Sequence, residues 1–366
     1  MDDRVREHAR ILVDWSARVE AGDDVVLSVD HGAHDLAVAV AEALGERGAT
    51  LLATDDADEI ERAYLRAHDG DFDPSAPELA MLEETDVYLR LSADTNTTAT
   101  ADVDGDTTAA YDRARQDIRE RRLEADWVST LHPTRALAQQ AGMSYEAYRE
   151  FVYDAVLRDW ESLAAEMDRM KTLLDEGSEV RLVAEDTDLT LSVEDRVAVN
   201  SAASVAYDSH NLPSGEVFTA PHATEGEVSF DVPMTVEGTA LSGVRLVFED
   251  GEVTEFAAER GEDTLADLLA TDDGARRLGE LGIGMNRGID RVTDNVLFDE
   301  KMGGTVHLAL GRAYRANYAD GHADEAVESA VHTDLITDMG EGSRLEVDGE
   351  VVQRDGVFRW EDGFDG

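Results

Sequence analysis

The chain contains no cysteine, only two lysines and no long apolar run. Without cysteine, disulfides, cysteine-ligated zinc sites and iron–sulfur centres are excluded. No stretch approaches the roughly 18 uninterrupted apolar residues of a membrane-spanning helix, and the charged first residues contain no apolar signal segment. These absences predict a soluble, cytoplasmic protein that does not bind to a membrane.

Basic residues of any kind are scarce relative to acidic ones. There are 82 acidic and 32 basic residues in 366, which gives a formal net charge of -50. The acidic residues are spread over both halves, and a hydrophobic content of 42% excludes a disordered acidic chain. We therefore expect a halophilic protein, folded and adapted to a high-salt cytoplasm. Nucleic acid is not an expected partner, because phosphate binding requires basic patches.

The length and the apolar patterning predict two domains, at 1–177 and 178–366. Alternating strand and helix patterns in the first half predict an α/β domain with a largely parallel sheet. Short alternating runs beyond residue 178 predict a C-terminal α+β domain with a mixed or antiparallel sheet. The metal-binding role expected for this domain comes from the side chains described below. In the first domain the predicted strands are 24–29, 48–53, 86–91 and 126–131. Helices are predicted at 144–175 and 262–279.

Five candidate metal ligands lie in the last 150 or so residues: Glu216, Glu280, His307, His332 and Asp334. Carboxylates and imidazoles gathered by the fold are what a divalent metal site requires. Each residue taken alone has an ordinary alternative. His307 could be a core histidine satisfied by a backbone carbonyl, Glu216 a surface glutamate, and the His-x-Asp pair a coincidence.

Local patterns predict where these side chains point. His332 and Asp334 are two residues apart, so on a strand they share one face. His307 alternates with Ala309 and Gly311, which puts it on a face of small residues with room for an ion. Glu216 is expected at the entrance of a strand, and Glu280 at the end of a helix.

Several phrases containing these residues resemble the aminopeptidase T family of metallopeptidases. They are Asn211-Leu-Pro-Ser-Gly-Glu-Val-Phe-Thr-Ala-Pro221, Arg-Leu-Gly-Glu, Leu-Phe-Asp-Glu, His307-Leu-Ala-Leu-Gly-Arg-Ala-Tyr314 and His-x-Asp, in the family's order. The N-terminal half is also similar, for example at Gly22-Asp-Asp-Val-Val-Leu and Pro133-Thr-Arg-Ala-Leu-Ala. The resemblance covers nearly the whole chain.

The resemblance implies a metal-dependent aminopeptidase that hydrolyses N-terminal residues from peptides by a two-metal-activated water. Two divalent ions (zinc, cobalt or manganese) and a homodimer are implied as well. The sequence departs from the family between Glu300 and His307, where it is two residues longer. The implied metal ligands are Glu216, Glu280, Glu300, His307, His332 and Asp334, and the implied catalytic residues are Tyr314 and Glu216.

Two other functions stay open at this point. Some non-haem iron dioxygenases of the dihydroxypyridine type resemble the same fold, and His307, His332 and Asp334 could supply their two-histidine, one-carboxylate triad. A non-enzymatic scaffold on a degenerate peptidase fold is the third possibility, which the intact ligand set disfavours. Metal content separates the three: two ions for a peptidase, one iron for a dioxygenase and none for a scaffold.

Overall fold

The structure is a computed structural model that describes residues 2–236, 238–319 and 322–365. Contacts group the chain into two compact units. Unit one comprises the chain up to Leu157 together with Ala203–Pro213, and unit two comprises Arg158–Ala202 and the chain from Ser214 onward. This grouping differs from the predicted boundary at 177/178, because the helix at 160–176 packs within unit two. There, Asn200 donates hydrogen bonds to the Ala164 carbonyl (3.0 Å) and to Asp168 (2.7 Å).

Unit one is built on a parallel five-stranded sheet of order β2-β1-β3-β4-β8. The four strands predicted in this half are confirmed. The strands are β1 (Asp24–Asp30), β2 (Thr50–Asp56), β3 (Val87–Ser92), β4 (Asp126–Leu131) and β8 (Asn211–Leu212). Its helices are α1 (Asp3–Arg10), α2 (His34–Arg47), α3 (Asp58–Ala67), α4 (Ala76–Glu83), α5 (Gly105–Ala114), α6 (Gln116–Arg122), α7 (Arg135–Gln140) and α8 (Tyr145–Val156).

A buried polar chain ties α1 to the sheet of unit one. The Thr130 hydroxyl on β4 donates to the Leu212 carbonyl oxygen at 2.7 Å. It therefore accepts from Nε2–H of His8, also at 2.7 Å. His8 and Thr130 are both completely buried. Helix and strands are thus joined by a directed hydrogen-bond chain as well as by apolar packing.

Unit two contains two larger antiparallel sheets, of orders β14-β13-β10-β6-β5-β18-β19-β20 and β17-β16-β15-β9-β7, and a small hairpin, β11-β12. The antiparallel pairing predicted for this half is confirmed. Its strands are β5 (Glu179–Ala184), β6 (Thr187–Ser192), β7 (Val199–Ser201), β9 (Glu216–Thr219), β10 (His222–Phe230), β11 (Met234–Val236), β12 (Thr239–Leu241), β13 (Val244–Glu249), β14 (Glu252–Ala257), β15 (Leu278–Gly284), β16 (Thr305–Gly311), β17 (His332–Asp338), β18 (Arg344–Val347), β19 (Glu350–Arg354) and β20 (Val357–Phe358). Its helices are α9 (Trp160–Glu176), α10 (Glu262–Leu269) and α11 (Val296–Asp299).

Two helix predictions need correction. The helix expected over 262–279 ends at Leu269, because Asp272 caps a separate short turn at Asp273–Arg276, and the chain then enters β15. The stretch 144–175 is two helices, and the second begins where Asp159 accepts from the backbone N–H of Ser162. Within the described ranges, no helix is both long and apolar enough to cross a membrane.

Candidate metal centre

The five-stranded sheet of unit two brings five of the predicted ligands to one face. Residues opposite each other in an antiparallel pair point to the same side, as do residues two apart along a strand. Glu280 on β15 and Asp334 on β17 both lie opposite Ala309 of β16. The same register rule adds three more residues to this face: Glu216 opposite Gly284, His307 opposite Gly282, and His332 opposite Gly311.

Small residues keep this face open, as the sequence of β16 predicts. A Cβ atom built at Gly282 would overlap the imidazole ring of His307. Glycine is therefore required on β15 where the histidine lies across the neighbouring strand. The register of β15 is continuous from Glu280 to Ile283, so Glu280 shares the ligand face with Gly282, and the β-bulge lies beyond it, between Leu278 and Glu280. Glu280 is thus inside a strand rather than at the end of a helix, and that prediction was wrong.

Both histidines are oriented by backbone carbonyls. Nδ1 of His307 lies 2.9 Å from the Glu300 carbonyl oxygen, and Nδ1 of His332 lies 2.8 Å from that of Arg312. A carbonyl oxygen only accepts, so Nδ1 carries the proton in each ring. Nε2 of each histidine is then the atom turned to the carboxylates, which is how histidines that bind metals are held.

Glu280 lies between the two imidazoles. Its Oε1 is 3.1 Å from Nε2 of His307, and its Oε2 is 3.8 Å from Nε2 of His332. Asp334 approaches His332 from the other side, with Oδ1 at 3.7 Å. Glu216 approaches His307, with Oε2 at 3.5 Å. The arrangement consists of two groups that share Glu280.

Three carboxylate oxygens in this cluster have no hydrogen-bond donor although they are buried: Glu216 Oε2, Glu280 Oε2 and Asp334 Oδ1. Within the part of the chain that the structure describes, they are the only buried carboxylate oxygens in that condition. A buried carboxylate without a donor is costly, so these three oxygens are suited to binding a cation. Ligand atoms of Glu216, Glu280 and His307 lie within 4.8 Å of one another, close enough to hold one ion.

The electrostatics of the cluster point the same way. Burial and the neighbouring carboxylates raise the pKa of Glu216 and of Asp334. Burial alone would lower the pKa of His307, but the hydrogen bond to Glu280 and the charges of Glu216 and Asp334 raise it to about 10. In the absence of a metal, a proton on Nε2 thus supplies the positive charge that the carboxylates require. A divalent ion fits the same donor set of oxygens and imidazole nitrogen.

Glu300 and Lys301 follow α11 and lie beside this cluster. The Glu300 carboxylate forms an ion pair with the ammonium of Lys301, and its backbone carbonyl orients His307. The same ammonium lies 3.5 Å from Oε1 of Glu216. Lys301 was not among the predicted site residues, although as one of only two lysines it was a visible signal. Glu300 contacts the site, but its carboxylate is engaged by a lysine.

Tyr314 lies three residues beyond the end of β16. Its ring packs edge-on against the ring of His332, with centroids 5.1 Å apart, and against Phe218 at 5.9 Å. The residue is 43% exposed, so a ligand can reach it. Partial burial, together with the negative charges of Glu280 and Asp334, raises the pKa of Tyr314 to about 12. The phenol therefore stays protonated at neutral pH and can donate a hydrogen bond.

Comparison with known proteins identifies the family. Residues 1–358 match the family described as thermophilic metalloprotease (M29). The chain belongs to the thermophilic metalloprotease (M29) family. Membership was expected from the motifs around Glu216 and His307, and it implies that the protein uses a divalent metal.

Individual relatives carry aminopeptidase names. Aminopeptidase 2 of Geobacillus stearothermophilus is 38% identical over 167 residues, which is 41% of this chain and 39% of that protein. Aminopeptidase T of Thermus thermophilus is 40% identical over 151 residues, covering 38% of this chain and 36% of that protein. Aminopeptidase PepS of Streptococcus thermophilus is 29% identical over 264 residues, or 64% and 62%. In each case the match spans less than two thirds of the relative.

A solved structure extends the likeness to the whole fold. Wild-type AmpT from Thermus thermophilus superimposes with a TM-score of 0.85 and 25% sequence identity, covering 98% of this chain and 99% of that one. The predicted fold class, with a parallel α/β region and a separate antiparallel region, is thereby confirmed.

Proposed function

We propose that this chain is a metal-dependent aminopeptidase that removes N-terminal residues from peptides. The observation that carries the proposal is the convergence of three buried, donorless carboxylate oxygens with two correctly oriented imidazoles on one sheet face. The aminopeptidase names of the relatives support the reaction, and the family supports the use of a metal. Nothing in these comparisons supports the dioxygenase alternative.

We infer that two ions share this face. Glu216, Glu280 and His307 would hold one, and Glu280, His332 and Asp334 the other. Support for a bridging Glu280 comes from its two oxygens, which face different histidines at 3.1 and 3.8 Å. Glu300 remains a sixth predicted ligand, although its pairing with Lys301 favours a role beside the metals. Mixed oxygen and nitrogen ligation is compatible with zinc, cobalt or manganese.

When bound, two divalent ions supply Lewis-acid polarisation of the scissile carbonyl and a water molecule that ionises near neutral pH. The chain's own groups complete the chemistry. Tyr314 donates its phenolic O–H to the carbonyl oxygen as negative charge develops there. Glu216 would hold an ion through Oε2, and its other carboxylate oxygen, Oε1, exchanges a proton with the reacting groups.

Three further features belong to this proposal: a homodimer, a cytoplasmic location and a high-salt environment. A dimer that encloses the active sites would restrict substrates to short peptides. Light scattering in molar KCl tests the dimer. If the protein is a monomer, long peptides would be substrates as well.

The net charge of -50 supports the high-salt environment.

Activity on free and blocked substrates tests the function. Protein purified without chelator is analysed for metals and then assayed in high salt with aminoacyl-coumarin substrates and their N-acetylated counterparts. We expect two ions per chain and cleavage only when the amino group is free. Equal cleavage of both substrates would contradict an aminopeptidase, and a single bound iron would return the dioxygenase to consideration.

A further inference from the structure

Lys301 is a completely buried cation in direct contact with the proposed metal ligands. Its side chain is 1% exposed, and its ammonium forms ion pairs with Glu300 and, at 3.5 Å, with Glu216. The backbone fixes its position, since Lys301 N–H donates to the Phe298 carbonyl and its own carbonyl accepts from Asn286. The other lysine, Lys171, lies at the surface of α9 and pairs with Asp175. The two lysines of the chain thus have opposite environments.

A buried charge is tolerated only where opposite charge surrounds it. Here the surroundings are carboxylates: Glu216 and Glu300 in contact, and Asp334 near enough to favour the charged ammonium. The lysine therefore stays positive and supplies part of the charge balance that the cluster needs without metal.

The two oxygens of the Glu216 carboxylate face different partners. Oε1 faces Lys301, while Oε2 faces His307 and has no hydrogen-bond donor. An ion bound through Oε2 would share this carboxylate with a fixed positive charge. Charges of like sign repel strongly where burial lowers the effective dielectric constant, and salt screens buried pairs much less than surface pairs.

We propose that Lys301 is a built-in counter-cation that lets the carboxylate cluster fold without metal and, by competing for Glu216, weakens metal binding. This inference rests on the proposed metal centre. Lys301 acts through Glu216, and its effect on metal affinity is opposite in sign to that of a residue that only orients a metal ligand. A residue that merely oriented Glu216 would strengthen metal binding, so its removal would weaken it. Removal of a competing charge strengthens binding instead.

The test compares Lys301→Met with Lys171→Met, which removes the same charge from the surface. Metal-free proteins are prepared in molar KCl, and the Kd for Zn²⁺ is measured by competition with a chromogenic chelator. We expect Lys301→Met to bind Zn²⁺ at least tenfold more tightly than the parent chain, and Lys171→Met to match the parent. Unchanged or weaker binding by a Lys301→Met protein that is folded without Zn²⁺ would overturn the inference.

Thermal unfolding with and without Zn²⁺ provides a second readout. Lys301→Met should have a lower Tm than the parent when metal-free and gain more from saturating Zn²⁺. If the variant folds only when Zn²⁺ is present, the result also supports the inference, because the ion then replaces the ammonium. A variant that stays unfolded in saturating Zn²⁺ contradicts it. If the parent chain binds no divalent ion, the proposed metal centre itself fails.

Discussion

Buried carboxylates are paired differently around Asp30 in unit one and in the metal-ligand cluster of unit two. In unit one, both oxygens of Asp30 are used: one accepts from Arg90 at 2.7 Å and the other from the backbone N–H of Ala93 at 3.0 Å. In unit two, Glu216, Glu280 and Asp334 are equally buried, yet each has an oxygen without a donor. A fully paired buried charge serves the fold, whereas incomplete pairing leaves a position for a ligand.

Two histidines sharpen this contrast. His8 in unit one and His307 in unit two are both completely buried. Burial and, to a smaller extent, the nearby His132 lower the pKa of His8 to about 3. Its hydrogen-bond partner, the hydroxyl of Thr130, is uncharged. Neighbouring carboxylates overcome the same burial effect at His307 and raise its pKa to about 10. Burial alone therefore does not identify a functional histidine; the charge of its neighbours does.

Replacement of Glu280 should have the largest effect. Glu280→Gln removes the charge of the residue that faces both histidines, so we expect kcat/KM to fall by about 10³-fold or more, equivalent to about 4 kcal/mol. Elemental analysis should find metal lost from the same protein. Asp30→Asn is the control from unit one and should keep the metal content of the parent. A Glu280→Gln protein with both ions and full activity would refute the bridging role.

Loss of the Tyr314 hydroxyl should be the next largest effect. Tyr314→Phe keeps the ring against His332 but removes the O–H donor, so kcat should fall by about 10²-fold with little change in metal content. Steady-state kinetics and elemental analysis on the same preparation measure both. An unchanged kcat would reduce Tyr314 to a packing residue.

Much of the fold, and one feature of the candidate site, can be predicted from the sequence. The four parallel strands of unit one follow from apolar runs separated by helical patterns, and β1 and β4 lie where the sequence predicts them. The alternation of His307 with Ala309 and Gly311 correctly predicts the open face of β16. These features are local, since the period of the pattern determines which face a side chain occupies.

Features that depend on distant partners escaped prediction. Glu280 looked like the end of a helix because the glycines after it are typical helix terminators. Gly282 instead makes room for the ring of His307 and Gly284 for the backbone of Met302, two residues far away in sequence. Lys301 gave only a compositional signal, because its partner Glu216 lies on a strand that is distant in sequence. Such contacts form only in the folded chain, and the periodicity of the sequence does not predict them.

Salt and metal should act on different parts of the chain. With a net charge of -50, both units should gain stability as the ionic strength rises, because surface carboxylates repel over a Debye length of about 8 Å at 0.15 M and about 3 Å at 1 M. We expect Tm to rise by roughly 5–10 °C between these concentrations of KCl, or roughly 2–4 kcal/mol for each unit.

Amide hydrogen exchange distinguishes the two agents. Added metal should protect β15, β16 and β17 and leave the sheet of unit one unchanged, whereas KCl should protect both units. A comparison of KCl with sulfate salts separates the screening of surface charges from the strengthening of apolar burial. A Tm independent of KCl would mean that the acidic surface serves solubility alone.

The smallest predicted effect concerns His8 and the pH dependence of stability. His8 is neutral in the folded chain because its pKa is about 3, whereas in the unfolded chain it takes up a proton near pH 6.5. Its contribution is fully present above pH 6.5 and is lost as the pH falls from there towards 3. At pH 5 the loss is about 2 kcal/mol, at about 1.4 kcal/mol for each pH unit.

His8→Gln, which keeps a donor for Thr130, should therefore show a shallower loss of stability between pH 7.5 and 5. Denaturant unfolding in molar KCl measures this slope, with the exposed His31→Gln as the control. Identical slopes for the parent and His8→Gln would show that His8 does not stay neutral in the folded chain, and the contrast with His307 would no longer hold.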